Sequence, residues 1–219
     1  MGRGTVDPAG CAIGYDSGMT RGLLFDLYGV VMRTQSPEAI AAIERAAGFG
    51  GPDLWDPFWS LRTPYDHGLQ SGRDYWASIA QAAGRHIADP DAVIAAEVAG
   101  WSRPDAAMVD YVRELATRCP VGVLSDVPED VAEMLEREQP WLWALPAVTL
   151  SCRVHVGKPD EAVFRLALRD LGLAAGDVLF TDDRLYNVEA ARALGMPAVL
   201  FEGLDALRPV VEAHVSAGR

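Results

Sequence analysis

The sequence has few cysteines and no cluster of thiol and imidazole side chains. Its three cysteines, Cys11, Cys119 and Cys152, are an odd number and lie far apart in the 219 residues. This distribution excludes a disulfide-stabilised scaffold, and no group of His and Cys residues has the spacing of a zinc site. We therefore expect neither structural disulfides nor zinc.

Long apolar segments are also missing. The first twenty residues contain several glycines together with Asp7 and Asp16, but no apolar core of signal-peptide length. No stretch approaches the uninterrupted apolar length that a membrane span requires. We therefore expect a cytoplasmic protein without a membrane partner.

Positive charge is scarce. The chain has 19 Lys and Arg residues against 31 Asp and Glu, for a formal net charge of −12. Nucleic acids and anionic membranes both favour basic surfaces, so we expect neither as the main partner. A small anionic substrate stays compatible with this charge, because one site can be positive on an acidic protein. At 219 residues the chain can bury a full core, in one large domain or in one domain with a sizeable insertion.

The apolar runs of the chain alternate with amphipathic segments. This alternation predicts βαβ units, and hence an α/β fold with a doubly wound parallel sheet. The predicted strands are 23–25, 121–125, 147–151, 177–183 and 197–201, and the predicted helices between and after them are 104–118, 128–138, 160–171, 187–194 and one at the C-terminus. Gly172 is predicted to end the helix at 160–171.

Residues 35–103 differ from the rest of the chain. They have a helical period, lack strand-like runs and contain four of the six tryptophans. Ser36 and Pro37 form a helix start, with serine as N-cap and proline at the first helical position. We predict a small helical cap domain at 35–103, a core domain at 21–34 and 104–219, and a flexible glycine-rich segment at 1–20.

Polar side chains stand where the predicted strands end. Asp26 follows the first strand, Ser125 ends the second, and Asp182 and Asp183 end the fourth. Lys158 lies in a Gly-Lys-Pro turn just before a helix. Because parallel strands end at one edge of a sheet, these groups can meet in one crevice. Each has an ordinary structural explanation alone, as a cap or a turn residue, but four coincidences of this kind favour a site.

The chemistry that suits this set is transfer through an aspartyl intermediate. Asp26 would attack, since a carboxylate can divide one difficult displacement into two easier ones. Carboxylates from two strands suit Mg²⁺, which takes oxygen ligands and bridges to phosphate. Lys158 would neutralise charge on the transferring group, and Ser125 would donate a hydrogen bond to it.

Four segments in this order resemble the motifs of the haloacid dehalogenase-like (HAD) hydrolase superfamily. They are Phe25-Asp26-Leu27-Tyr28-Gly29-Val30, Leu124-Ser125, Gly157-Lys158-Pro159 and Phe180-Thr181-Asp182-Asp183. The resemblance covers nearly all of 21–201, including the position at which that family inserts a helical cap. It implies a Rossmann-like core and hydrolase activity.

The resemblance also implies roles for single residues. Asp26 corresponds to the nucleophile, and Mg²⁺ is held by that Asp, by the backbone carbonyl of Tyr28 and by an acid of the last motif. By its position in the motif Asp183 is the direct ligand of the metal. Asp182 lies close behind it and acts through water or through the lysine. Asn187 either supports this loop or caps the following helix.

Tyr28 departs from the usual phosphatase pattern, which has a second Asp there as general acid and base. A phenol with a pKa near ~10 is a poor base at neutral pH. Haloacid dehalogenases carry Asp-x-Tyr-Gly, but their last motif lacks the acid pair. They also have an arginine early in the cap, where this chain reads Leu-Trp-Asp-Pro at 54–57. Certain sugar-phosphate phosphatases lack the second Asp too, and the acid pair therefore favours a phosphatase.

The cap offers candidates for the substrate pocket. Trp59, Arg62 and Tyr65 could form part of its wall, with Arg62 binding an anionic group of the substrate. The alternative is that the aromatic residues fill the core of the cap, since aromatic side chains dominate core burial.

Three functions follow from these residues. The first is a Mg²⁺-dependent phosphatase of a small phosphorylated metabolite, acting as a monomer or homodimer on a phosphate ester. The second is a haloacid dehalogenase-type hydrolase, which Tyr28 favours. The third is a catalytically weakened binding protein that keeps the fold, since losing the general base would slow hydrolysis of the aspartyl-phosphate. Asp126 also favours it, because an acid next to Ser125 would disfavour an anionic ligand nearby.

Overall fold

A five-stranded parallel sheet is the centre of the computed structural model, which describes residues 21–217. The sheet has the strand order β3-β2-β1-β4-β5, and all neighbouring strands are parallel. This confirms the predicted α/β fold with a doubly wound sheet. The predicted flexible segment 1–20 lies outside the described residues. The strands are β1 (Gly22–Phe25), β2 (Val121–Ser125), β3 (Ala147–Leu150), β4 (Val178–Asp182) and β5 (Ala198–Leu200).

Five helices occupy the chain between β1 and the next core helix. They are α1 (Pro37–Ala47), α2 (Pro52–Ser60), α3 (Arg62–Asp66), α4 (Gly72–Ala83) and α5 (Pro90–Gly100). We call residues 37–100 the helical segment. It has its own cluster of buried side chains, including Phe58, Tyr75 and Trp76. The predicted start of α1 is confirmed, because the Ser36 hydroxyl accepts a hydrogen bond from the backbone of the first turn and Pro37 is the first helical residue.

Six further helices follow the helical segment. They are α6 (Ala106–Ala116), α7 (Glu129–Glu138), α8 (Ser151–Val154), α9 (Glu161–Leu171), α10 (Leu185–Ala193) and α11 (Leu204–Ser216). Gly172 ends α9 in the left-handed conformation, as predicted. The structure differs at several boundaries, and α6 is two residues shorter at each end than the predicted helix 104–118. Ser151 begins α8 instead of ending a strand, and α10 begins two residues before the predicted helix at 187.

The strands are apolar throughout because helices cover both faces of the sheet. Leu23 and Phe25 of β1 belong to one buried cluster, which includes side chains of α6, α7 and α11. Leu24, between them, belongs to the opposite cluster, which includes side chains of α9 and α10. Burial on both faces explains why the strands show no polar alternation.

Two linkers that run side by side connect the helical segment to the core. The Arg33 N–H donates to the Arg103 carbonyl over 2.8 Å, and the Asp105 N–H donates to the Val31 carbonyl over 3.0 Å. These bonds pair the entry and the exit of the helical segment.

Three hydrogen bonds join the end of α3 to the core, well away from the linkers in sequence. Each involves one of three consecutive residues, 65–67. The Tyr65 hydroxyl donates to Asp130 (2.8 Å), the Ser151 hydroxyl donates to the Asp66 carbonyl (2.5 Å), and His155 Nδ1 donates to the His67 carbonyl (2.9 Å). The helical segment is therefore attached to the core at both the linkers and α3.

None of the helices within residues 21–217 combines the length and the apolar character needed to cross a membrane.

Candidate active site

Three neighbouring strands bring polar side chains to the same edge of the sheet. Asp26 follows β1, Ser125 ends β2 and Asp182 ends β4, and β1 lies between the other two strands. All three residues are buried. The structure therefore brings together the strand-end residues that the sequence singled out.

Lys158 lies between two of these carboxylates. Its Nζ is 2.5 Å from Asp26 Oδ1 and 2.9 Å from Asp182 Oδ2. Burial alone would lower the pKa of Lys158, but the adjacent carboxylates of Asp26 and Asp182 raise it above its ordinary value. The side chain thus stays a cation at neutral pH and holds the two acids together.

Asp182 is fixed by donors from its own loop. The Asn187 side-chain amide donates to both carboxylate oxygens over 3.1 Å, and the Arg184 N–H donates to Oδ1 over 2.8 Å. Of the two roles considered for Asn187, the structure therefore shows support of the loop. Because these donors and Lys158 engage its oxygens, Asp182 is suited to orienting Lys158.

Asp183 is less enclosed and packs against the loop after β1. Gly29 adopts φ +94°, and a Cβ on it would lie 2.5 Å from Asp183 Oδ2. One carboxylate oxygen from each of Asp26, Asp182 and Asp183 lies within 4.8 Å of the others. The bare backbone of Gly29 therefore leaves room for Asp183 to join this cluster.

Gly29→Ala should destabilise the protein more than Gly48→Ala does. Both glycines have positive φ, but nothing lies within 4 Å of a Cβ built on Gly48. We expect Gly48→Ala to lower the free energy of unfolding by about 1 kcal/mol from backbone strain alone. Gly29→Ala should cost roughly 1–3 kcal/mol more, because Asp183 must move. Urea unfolding of both variants measures the difference, and equal losses would contradict the close packing of Asp183.

The site has an excess of negative charge. Burial raises the pKa of Asp26 to about 7, against the lowering effect of Lys158 and with a further increase from Asp182. Burial also raises the pKa of Asp126 and of Asp183. Four carboxylates thus face Lys158 and Arg184, which lies 3.6 Å from Asp183, and an anionic substrate would be repelled unless a further cation is present. A cluster of carboxylate oxygens is the donor set that Mg²⁺ prefers, so these residues fit that ion.

Tyr28 presents an aromatic ring beside the carboxylates. The ring meets Trp101 edge to face, with the centroids 4.9 Å apart. Its hydroxyl is buried and has no hydrogen-bond partner in the described chain. Burial raises the pKa of Tyr28 far above its ordinary value, so the phenol stays protonated at neutral pH and cannot serve as a general base.

A cavity of about 550 Å³ opens onto this edge between the core and the helical segment. Its lining includes all the acids of the site except the fully enclosed Asp182, and Ser125 and Lys158 as well. The helical segment contributes Trp59, Arg62 and Asp66. The cavity is therefore large enough for a small organic ligand beside Asp26.

The three predicted cap residues lie in different environments in the structure. Trp59 lines the cavity and is 56% exposed. Arg62 also lines it, but its guanidinium already contacts Asp66 over 2.7 Å and the buried Glu97. Tyr65 does not line the cavity, because it is buried in the helical segment and donates to Asp130. Trp59 and Arg62 therefore lie at the wall of the cavity, and Tyr65 does not.

Two features of the site went unnoticed in the sequence. Lys158 is the only lysine in the chain, and a single lysine just before a helix start is a sequence feature that indicates a functional position. Asp126, which we considered only as a repulsive charge, accepts a hydrogen bond from the Lys158 N–H over 3.0 Å and so positions the Gly-Lys-Pro turn. No sequence signal would have revealed the contact of Trp101 with Tyr28, because it depends on tertiary packing.

Known proteins with similar sequences include hydrolases and a cyclase. A sequence model of the haloacid dehalogenase-like hydrolases matches residues 20–195. The chain is 33% identical to a sesquiterpene phosphatase of Aspergillus oryzae over 118 residues. This alignment covers 52% of this chain and 60% of that protein. It is 30% identical over 95 residues to an (S)-2-haloacid dehalogenase of Pseudomonas putida, which is 43% of this chain and 42% of that protein. It is also 53% identical over 53 residues to a drimenol cyclase of Aspergillus calidoustus, which is 23% of this chain and 10% of that protein. The chain spans less than two thirds of the length of each of these three relatives.

Solved structures with the same fold include a HAD family enzyme of Bacteroides thetaiotaomicron in complex with magnesium and inorganic phosphate. It has a TM-score of 0.71 and 17% identity, over 86% of this chain and 98% of that one. A 2-haloacid dehalogenase of Pseudomonas syringae pv. tomato has a TM-score of 0.63 and 19% identity, over 84% of this chain and 86% of that one. At these identities the likeness establishes the fold alone.

Proposed function

Since this chain belongs to the haloacid dehalogenase-like hydrolase family, we propose that it is a Mg²⁺-dependent phosphatase that forms an aspartyl-phosphate on Asp26. The observation that carries the proposal is the position of Lys158 between Asp26 and Asp182, with Asp183 in the same carboxylate cluster. Dehalogenation of a haloacid does not need this cluster of carboxylates. Transfer of a phosphoryl group does need it, because carboxylates bind the metal ions that neutralise the developing charge.

In the proposed reaction an oxygen of Asp26 attacks the phosphorus of a phosphate monoester. The bond from phosphorus to the ester oxygen breaks, and the leaving alkoxide takes up a proton from water to become the free alcohol. Water then attacks the phosphorus of the aspartyl-phosphate, which releases inorganic phosphate and restores the carboxylate.

Each neighbouring group has a part in this scheme. Lys158 and the Ser125 hydroxyl would bind the phosphoryl oxygens, and Lys158 also keeps Asp26 oriented. Asp26, the Tyr28 backbone carbonyl and Asp183 would hold Mg²⁺, with Asp182 behind them. Bound Mg²⁺ supplies charge neutralisation at the transferring phosphoryl group.

The relatives support this proposal in part. One of them is a phosphatase, and the B. thetaiotaomicron enzyme binds magnesium and phosphate in the same fold. We further propose that 35–103 acts as the cap domain, because its side chains line the cavity over Asp26. We also propose a cytoplasmic protein that acts as a monomer or homodimer; the free, buried Cys119 and Cys152 agree with a reducing compartment.

Hydrolysis of p-nitrophenyl phosphate should require Mg²⁺. We expect EDTA to abolish phosphate release and added Mg²⁺ to restore it, because four carboxylates otherwise repel the substrate. Asp183→Asn should raise the Mg²⁺ concentration needed for half-maximal rate by ~10-fold or more, since it removes one charged ligand. The exposed Asp91→Asn serves as a matched control and should change nothing. Turnover that persists in EDTA would contradict the role of the acid cluster.

Dehalogenation at carbon is the second candidate, and Tyr28 is the observation that favours it. In that reaction Asp26 would displace a halide from a 2-haloacid, and water would hydrolyse the ester. Halide release from 2-chloropropionate in EDTA, measured beside the phosphatase assay, distinguishes the two. Halide release without phosphate release would replace the phosphatase proposal.

A further inference from the structure

A narrow branch of about 70 Å³ extends from the cavity towards the start of α7. We call it the side slot. It has room for about two groups of the size of a water molecule, such as one carbon and the hydroxyl that it carries. Tyr28, Trp101 and Asp126 line both the side slot and the cavity, which Asp26 also lines. A ligand in the cavity can therefore extend a small side group into the side slot.

Two buried polar groups of the side slot have no protein partner. Within the described residues neither the Tyr28 hydroxyl nor the Trp101 indole N–H makes a hydrogen bond. The indole N–H can only donate. The phenol can donate as well, because burial raises the pKa of Tyr28 far above its ordinary value and keeps the hydroxyl protonated. Unpaired buried donors are costly, so these two groups favour a ligand with an acceptor atom.

Hydrogen-bond acceptors come from two carboxylates in the same lining. Asp66 and Asp126 both line the side slot. Asp66 lies 2.7 Å from Arg62, and Asp126 accepts from the Lys158 N–H over 3.0 Å. A carboxylate offers about four acceptor positions, so each can accept a further hydrogen bond. The side slot therefore also favours a ligand that donates.

The charge of the side slot disfavours an anionic ligand. Arg62 is the only basic side chain among the described residues of its lining, and its guanidinium already contacts Asp66 and the buried Glu97. A carboxylate or a second phosphate would therefore meet two acids and a cation whose charge is shared. An ammonium group would suit the acids, but it has no acceptor atom for the indole N–H. A neutral hydroxyl both accepts and donates, and so it matches both sets of groups.

We propose that the alcohol released by the reaction carries a second hydroxyl close to the phosphate, and that Trp101 and Tyr28 recognise this hydroxyl in the side slot. The inference rests on the phosphatase function proposed above. Trp101 and Tyr28 are thus specificity-determining residues for the phosphate of a diol or polyol. Phenyl phosphate has no second hydroxyl, so its hydrolysis does not depend on this recognition.

Each part of the second alcohol group has a counterpart in the lining. Its oxygen accepts from the indole N–H or the phenol, and its O–H donates to Asp66 or Asp126. The carbon that carries it lies against Val127 and Val131, which complete the wall together with Pro128. A hydrocarbon chain in the same place would leave the buried donors unpaired.

Binding of phosphonates tests the inference independently of turnover. These analogues lack the scissile P–O bond, and calorimetry in Mg²⁺ measures their Kd. Alkylphosphonates with a terminal hydroxyl on the second, third or fourth carbon are each compared with the analogue that has a methyl group in place of the hydroxyl. At least one hydroxyl analogue should bind about tenfold more tightly than its methyl counterpart, because it satisfies buried groups. Analogues of the same length with a terminal amine or carboxylate should bind more weakly than that hydroxyl analogue.

Removal of the indole N–H localises the preference. Trp101→Phe keeps an aromatic ring against Tyr28, and the tenfold preference should fall to about threefold or less. Tyr28→Phe alone should also reduce it, which gives a second test if Trp101→Phe does not fold, and the two substitutions together should abolish it. Trp143→Phe is the matched control and should keep the full preference, since Trp143 is a part-exposed tryptophan outside both linings.

The inference is overturned if every methyl analogue binds as tightly as its hydroxyl counterpart, because water then satisfies the two buried groups. It is also overturned if the preference survives both substitutions together, if an amine or carboxylate analogue binds more tightly, or if none of the phosphonates binds. A hydroxyl preference that Trp101→Phe removes, in a protein that hydrolyses none of the corresponding phosphate esters, supports the side slot and refutes the phosphatase proposal instead.

Discussion

Asp26→Asn should abolish phosphate release, with a loss of at least ~10⁴-fold in kcat. The amide cannot attack phosphorus, and no other described carboxylate takes its place, because Asp182 is held by Asn187 and Lys158. Inorganic phosphate release from p-nitrophenyl phosphate in Mg²⁺ measures the loss. Asp89→Asn is the control, since that residue caps α5 and is not part of the cavity lining, and asparagine is an equally good N-cap.

The same substitution should not destabilise the fold. The pKa of Asp26 is raised by burial from 3.8 to about 7, so its ionisation costs folding free energy as the pH rises through this window. The amide in the Asp26→Asn variant would not ionise, and Lys158 would keep Asp182 as its partner. We therefore expect the Tm of Asp26→Asn in metal-free buffer to equal that of the parent at pH 4 and exceed it at pH 8. A large fall in Tm at pH 8, or residual turnover, would contradict this account.

Tyr28→Asp should increase Mg²⁺-dependent hydrolysis of phenyl phosphate by about 10²-fold or more. The substitution places a carboxyl group next to the nucleophile, where it can protonate the leaving oxygen and then accept a proton from the attacking water. Gly29 still permits the turn, and the Tyr28 backbone carbonyl is unchanged. The gain should be larger for phenyl phosphate than for p-nitrophenyl phosphate, because the poorer leaving group needs the proton more.

Tyr28→Phe is the matched control for this gain. It keeps the ring against Trp101 and removes only the buried hydroxyl, which has no partner in the described chain. Its rate should lie within about threefold of the parent, and its stability should be equal or higher, because an unsatisfied buried group is lost. If both variants lose activity while staying folded, the hydroxyl itself acts in the reaction, and the dehalogenase function becomes the first candidate.

Much of the fold was predictable because its signals are local. Apolar runs without alternation indicated strands buried on both faces, and Ser36 with Pro37 and Gly172 marked helix ends that the structure confirms. The errors occur where a tertiary contact decides the boundary. Ser151 begins α8, and its hydroxyl donates to the Asp66 carbonyl, 85 residues away in the chain. No local pattern could show that partner.

The candidate site, like the fold, was predictable only in part from the sequence. The meeting of Asp26, Ser125 and Asp182 follows from topology, because parallel strands end at one edge. The ion pairing of Arg62 could not be predicted in this way, since it depends on Glu97, 35 residues away on another helix. Arg62 lines the cavity with its guanidinium already paired, so the expectation that it binds an anionic group of the substrate stays a prediction.

The single lysine has a practical consequence. Apart from the α-amino group of the chain, Lys158 carries the only primary amine of the protein, since the other 18 of the 19 basic residues are arginines. Only 3% of that side chain is exposed, so an amine-specific reagent reaches it mainly through transient local opening. Acetylation kinetics followed by mass spectrometry would therefore report, from one atom and without competing signals from other side chains, how often this edge of the sheet is exposed to solvent.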